Sequence, residues 1–158
     1  DHDEVTLEEE IRLVDNYIYI LNVRFSGEIH FEKKVDESLL GVHIPSMLLQ
    51  PIVENSVNYG IRNIDWEGRI VLSVYREEEK VCISIKDNGV GMTEERIAQV
   101  MQNCISHQED TGDSNGVGLN NVMERLHLFF DGAEEFVMMS EGPGRGTEVV
   151  IRIPYLKM

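Results

Sequence analysis

Asp87-Asn88-Gly89-Val90-Gly91 sets a lone carboxylate at the end of an apolar strand pattern and follows it with two glycines. The run before it, Val81-Cys82-Ile83-Ser84-Ile85-Lys86, alternates apolar and polar residues like a half-buried strand, which holds Asp87 at the strand's rim. An ionised carboxylate can only accept hydrogen bonds. Adenine presents a donating amino group where guanine presents an accepting oxygen, so an acceptor here favours ATP over GTP. Gly89 and Gly91 permit positive φ and let the backbone approach a base with no Cβ between them. Taken alone, the pentapeptide reads equally well as an ordinary turn leaving a strand.

Its companions and their order add to it. Upstream stands Gln50-Pro51-Ile52-Val53-Glu54-Asn55-Ser56-Val57-Asn58-Tyr59-Gly60; downstream come Gly116-Val117-Gly118-Leu119-Asn120-Asn121 and then Gly142-Pro143-Gly144-Arg145-Gly146-Thr147. In this order the four segments resemble the N, G1, G2 and G3 boxes of the GHKL ATP-binding superfamily, which groups gyrase, a heat-shock chaperone, histidine kinases and a mismatch-repair protein. The wording is most similar to sensor histidine kinases. Ile44 to Asn55 resembles the run entering the N box in the bacterial subfamily that has no clear F box. The resemblance covers nearly the whole chain from Thr6 onward.

The resemblance implies roles position by position. Asn55 matches the asparagine that ligates Mg²⁺ through its side-chain oxygen, a setting that suits a hard cation keeping several waters. Glu54 would orient a metal-bound water or assist proton transfer, and Tyr59 would stand near ribose and base. Asn58 also falls among the expected nucleotide contacts, although the family often carries a lysine there. Asp87, Gly89 and Gly91 would meet adenine; Gly116, Val117, Gly118 and Leu119 would meet the phosphates, and Thr147 of the last box the nucleotide. Pro51 stands at the helical step where gyrase-like members carry a water-activating glutamate, which favours phosphoryl transfer to a side chain over hydrolysis.

The implied function is the ATP-binding catalytic domain of a sensor histidine kinase, passing the γ-phosphoryl to a histidine outside this chain. In the family that histidine lies upstream of the segment matching Thr6 to Gly27, and His2, His30, His43, His107 and His127 occupy contexts that suit no catalytic role. The chain alone is then expected to be inactive as a protein kinase. The implied partners are the histidine-bearing dimerisation domain of the same kinase and a response regulator, in a homodimeric, membrane-linked protein of which this is a cytoplasmic part. Two alternatives remain open at this level: a degenerate module that controls helix contacts with or without nucleotide, and a serine kinase of the anti-sigma type.

The elements that must position these residues are legible from periodicity. Thr6-Leu7-Glu8-Glu9 spells a capping box, and Leu7, Ile11, Val14, Ile18, Leu21 and Phe25 form the stripe of an amphipathic helix ending near Gly27. In the family this segment ends the dimerisation helix and joins it to the catalytic domain, so 1–27 reads as junction and 28–158 as catalytic domain. The stripe suits a partner helix and its own domain equally well. Glu28 to Val35 reads as a strand, and Ser46 to Gly60 as a helix whose Leu49, Ile52, Val53 and Ser56 meet a sheet while Pro51, Glu54, Asn55, Asn58 and Tyr59 share the other side. Arg69 to Val74 and Val81 to Lys86 form a hairpin pattern, and Thr93 caps a short helix to Gln102.

Asn103 to Asn115 is polar and aperiodic and reads as a lid. Leu119 to Phe130 is helical; Gly116 and Gly118 just before it can aim amides at phosphate, with the helix dipole adding favourable potential. Glu134 to Met139 and Thr147 to Ile153 read as antiparallel strands around the glycine-rich turn. The expected architecture is an α/β (α+β) two-layer sandwich of the Bergerat type, with a mixed, mostly antiparallel sheet, helices on one face, and nucleotide between helices and lid.

Composition is compatible. At 158 residues and 42% hydrophobic the chain supports one core. A net charge of −15 argues against nucleic acid or an anionic membrane as surface partner, and demands local neutralisation of a triphosphate by Mg²⁺, backbone amides and helix N-termini. No apolar run approaches a membrane span. Cys82 and Cys104 lack metal or CxxC spacing, and read as free thiols in a strand and a polar loop.

Overall fold

The computed structural model describes residues 4–24, 28–62, 64–106 and 115–155. Helix α1 (Leu7–Arg24) follows a short strand β1 (Glu4–Thr6). The capping box forms as spelled: the Glu9 amide donates to Thr6 Oγ1 at 3.2 Å and the Thr6 amide to Glu9 Oε1 at 3.1 Å. Then come β2 (Ile29–Val35), β3 (His43–Pro45) and α2 (Leu49–Ser56), which runs on as a π-helical turn over Val57–Ile61. β4 (Gly68–Glu77) and β5 (Lys80–Asp87) are the expected hairpin, with Glu78 at φ 56° in its tight turn. Helices α3 (Glu94–Ser106) and α4 (Asn115–Phe130) precede the last pair, β6 (Glu135–Met139) and β7 (Glu148–Pro154).

Five strands form one sheet in the order β2-β4-β5-β7-β6. Its pairings are antiparallel except β2 with β4, which run parallel in a register that sets Ile29 beside Gly68. A second, two-stranded sheet joins β1 to β3. One face of the large sheet carries Ile70, Leu72, Val74, Ile83, Ile85, Ile151 and Ile153, all buried in a single cluster with Leu49, Ile52, Val53, Leu119, Val122 and Leu126 from the helices. Alternate residues such as Arg69, Tyr75 and Lys86 remain exposed. This is the two-layer, mostly antiparallel sandwich that the periodicity implied.

Helix α1 belongs to that core. Leu7, Ile11, Val14 and Ile18 are buried in the same cluster, so the stripe that suited two destinations packs on its own domain. Other apolar residues of α1 face outward: Leu13, Tyr19, Ile20 and Val23 are exposed.

Several boundaries differ from expectation. α3 extends to Ser106, so 103–106, expected to open the lid, are helical, and Cys104 lies in a helix rather than a loop. Residues 107–114, the rest of that lid apart from Asn115, lie outside the described residues. α4 starts at Asn115, four positions before the expected Leu119, which places Gly116, Val117 and Gly118 inside its first turn. Glycine is a poor helix former, and pattern alone therefore delays the start. The sheet is mixed as expected, but the π turn and which two strands run parallel went unread, because neither leaves a mark in the hydrophobic period.

Candidate nucleotide-binding site

β5 delivers Asp87 to the sheet's rim, opposite Ile70 of β4. There it is only 4% exposed. Its Oδ1 accepts from the Gly89 amide at 2.8 Å and the Thr147 amide at 3.2 Å, and the Ser56 hydroxyl bonds the same carboxyl. Burial pushes the carboxyl above its ordinary value, while those three hydrogen bonds pull it back. The group is thus an immobilised acceptor in a low-dielectric setting, with one oxygen already engaged and geometry fixed by two backbone segments. Such an acceptor discriminates for a donor in the plane it faces.

The glycines around it act mainly on the protein itself. Gly91 has φ 73°, as the sequence predicted, but Gly89 is not among the positive-φ residues. A Cβ on Gly89 would overlap the Gly60 backbone, one on Gly91 the Gly142 carbonyl, and one on Gly146 the Asp87 carbonyl. Backbone bonds lace the same segments together: Val90 N to Gly60 O at 2.9 Å, Gly146 N to Gly89 O at 3.1 Å and Gly144 N to Val90 O at 2.5 Å. Three of the four motifs therefore meet through main chain. Gly60 is less tightly confined: a Cβ there would sit 3.1 Å from Asp87 Oδ1.

Asn88 braces the other side of the loop. Its Oδ1 accepts from the Arg69 amide at 2.7 Å and its Nδ2 donates to the Glu67 carbonyl at 2.8 Å, while the Trp66 indole donates to the Asn88 carbonyl at 2.8 Å.

Asn55, Ser56, Tyr59, Gly60, Asp87, Gly91, Met92 and Thr147 line one cleft. Its open space is about 10 Å³, close to the minimum for one water, so an adenine ring enters only as the walls part. Met92 and Met138 are adaptable members of that wall. Among the expected residues, Asn55, Tyr59, Asp87, Gly91 and Thr147 come together here. Glu54, half-buried on α2 next to Asn55, accepts from Gln50 Nε2 at 3.1 Å.

Asn58 points elsewhere. It lines a separate cavity of about 540 Å³ with Leu21, Arg24, Arg62 and Trp66. Asn58 and Tyr59 are adjacent on the π-helical turn over Val57–Ile61, and neighbouring residues of a helix face different directions. Leu119 is fully buried in the core, so only its main chain can face a ligand. Gly118 has open space where a Cβ would be. Gly116 and Val117 supply first-turn amides of α4, which have no partner within the helix, and Gly118 follows them as the fourth helical residue.

Ser56, Met92 and Met138 were missed. Ser56 carries the sheet-facing period, and its role depends on a carboxylate 31 positions away in sequence, by subtraction of Ser56 from Asp87. For a bound Mg²⁺ the donor set fits: Asn55 offers a hard neutral oxygen in the cleft, and Asn120 Oδ1, in the second turn of α4, is buried without a hydrogen-bond partner. The His/Glu group with ligand atoms within 4.8 Å, Glu28, His30 and Glu67, lies exposed beside β2 and outside this cleft.

Sheet, helix layer and rim carboxylate define an ATP-binding α/β sandwich. The chain belongs to the histidine kinase-, DNA gyrase B-, and HSP90-like ATPase family, whose profile matches residues 45–157. It is 33% identical over 152 residues to the sensor histidine kinase YesM of Bacillus subtilis, covering 96% of this chain and 24% of that protein. It is 29% identical to the sensor protein LytS of Oceanobacillus iheyensis, covering 96% of this chain and 25% of the relative. The chain thus spans about a quarter of the length of these relatives. Among solved structures, a mycobacterial sensor histidine kinase, MprB, superposes with TM-score 0.67 at 17% identity over 99% of both chains. The catalytic domain of the histidine kinase ThkA gives 0.66 at 17% identity, covering 96% of this chain and 94% of that one. The resemblance to the catalytic ATP-binding domain of sensor histidine kinases is borne out.

Proposed function

We propose that this domain binds Mg·ATP and passes its γ-phosphoryl group to a histidine carried on a dimerisation helix of the same sensor kinase. The observation that carries the reading is the buried Asp87 carboxyl facing the same cleft as Asn55 and Tyr59. Asp87 would accept from the adenine amino group while the Gly89 and Thr147 amides hold the carboxyl in place. Tyr59 would flank ribose and base. The first-turn amides at Gly116, Val117 and Gly118 would receive phosphate oxygens, with Leu119 behind them as core. Gly89 and Gly91 keep the loop close enough to the helix and the last turn for this cleft to exist.

Mg²⁺ on the Asn55 oxygen would neutralise phosphate charge in a chain that is itself strongly acidic. Glu54 beside it would orient a water or assist proton removal from the acceptor. Pro51 offers no side-chain base one turn earlier, which supports transfer to a side chain over attack by water. Catalysis then rests on positioning and charge, and the acceptor histidine must be supplied in line.

Residues 1–27 would close the dimerisation segment and 28–158 form the catalytic domain. The exposed Leu13, Tyr19, Ile20 and Val23 of α1 support a partner helix on that side, in a homodimer. A response regulator would take the phosphoryl group next. No helix among the described residues is long and apolar enough to cross a membrane; a membrane link would come through other parts of the protein, with this domain on the cytoplasmic side. Mixing the domain with Mg·[γ-³²P]ATP and a separately prepared histidine-bearing dimerisation domain tests the reading. Label that is lost in acid and kept in base is expected; tight ATP binding with no transfer at high concentration would overturn it.

A further inference from the structure

Two carboxylates are buried among the described residues, and only Asp87 lies in the cleft. The other is Glu10, on α1, 1% exposed. Its Oε2 accepts from the Met47 amide at 3.1 Å, and its Oε1 from the amides of Leu48 at 2.9 Å and Leu49 at 3.0 Å. These are the donors at the start of α2, which an α-helix cannot satisfy internally. Leu48, in the cap position, supplies no side-chain bond, and Pro51 has no amide. Met47 holds φ 58°, a left-handed conformation unusual for its type, and Glu10 grips that residue too. The end of α2 is therefore built by a side chain from another element, 37 to 39 positions earlier in the sequence.

We propose that Glu10 is a positioning residue for the nucleotide site, fixing the start of α2 and hence the place of Asn55 against the phosphates. This rests on the Mg·ATP reading above. α2 is only 8 residues long, and Asn55 is its penultimate one. A rise of about 1.5 Å per residue puts Asn55 roughly 9 Å from the anchored end, too close for a misplaced cap to be absorbed along the way. A negative charge at a helix N-terminus also complements the helix dipole.

An electrostatic link lies along the same face of α1. Tyr17, seven positions and about two turns beyond Glu10, is half-buried near α2. Its phenol is pushed up by burial and then by the charge of Glu54. α1 therefore holds α2 at its first amides through Glu10, and Tyr17 lies within reach of the Glu54 charge next to Asn55.

The experiment measures ATP affinity by titration calorimetry with and without Mg²⁺ for wild type, Glu10→Gln and Glu10→Ala, at a temperature where each is folded by circular dichroism. For Glu10→Ala the Mg²⁺-dependent gain in affinity is expected to shrink about tenfold, while Mg²⁺-free affinity, set by Asp87, stays within about twofold. Glu10→Gln keeps an acceptor oxygen and is expected to retain part of the gain. A gain unchanged from wild type, or parallel loss with and without Mg²⁺, would overturn the proposal, the latter because it is what general loosening produces. If the alanine variant does not fold, the same ratio in Glu10→Gln decides. A wild type that binds no ATP would instead overturn the nucleotide reading, a result distinct from variants that match a binding wild type.

Discussion

Burial holds the Asp87 carboxyl above the ordinary aspartate value of 3.8. The folded chain therefore keeps that proton to higher pH than the unfolded chain. Between 3.8 and the raised value the native state binds more protons, so stability falls as pH rises through this window and carries a constant penalty above it. Asp87→Asn removes the charge yet leaves an oxygen for the Gly89 and Thr147 amides. At pH 7 it should be more stable than wild type in urea unfolding, with the difference closing toward acid pH. The same change replaces an acceptor-only group with one that also donates, so ATP affinity should drop about tenfold or more. Wild-type affinity should itself weaken as acid protonates Asp87, and calorimetry across pH should show no such slope in the variant. Asp87 was legible because a carboxylate ending an alternating strand is a local pattern. Glu10 and Ser56 were not, because each is defined by a partner far along the chain.

At the scale of elements, the glycine motifs divide by what surrounds them. Gly89→Ala would drive a methyl into the Gly60 backbone and should cost about 1–3 kcal/mol in denaturant unfolding whether or not nucleotide is present. Gly118→Ala meets nothing within 4 Å inside α4 and should leave stability unchanged or raise it by up to about 1 kcal/mol. A loss of ATP affinity in Gly118→Ala alongside intact stability would then mark a ligand contact; unchanged affinity would remove Gly118 from the phosphate site. The sequence announced both pairs in the same letters. Strands and helices were readable because alternation and helical period are local, whereas the π turn over Val57–Ile61 falls where Gly60 meets Asp87 and Val90, partners far along the chain.

For the molecule as a whole, α1 is inseparable from the sandwich. Leu7, Ile11, Val14 and Ile18 are each 7% exposed or less. Burial of each such side chain is worth about 1.5–3 kcal/mol, which together approaches the entire stability of an ordinary domain, about 5–15 kcal/mol. A chain starting at residue 28 should therefore lose its cooperative melting transition, and calorimetry that found a sharp transition near the full-length temperature would contradict this. The acid surface is a different matter: with a net charge of −15 on the chain, recognition of a triphosphate in the proposed site would depend on main-chain amides and one cation rather than on surface lysines. Finally, the sequence contains a single tryptophan, and Trp66 donates its indole proton to the carbonyl of Asn88, one residue from Asp87, the proposed adenine acceptor. The protein thus carries its own optical gauge: its emission, free of any second indole, should follow the parting of the cleft walls in real time without a label.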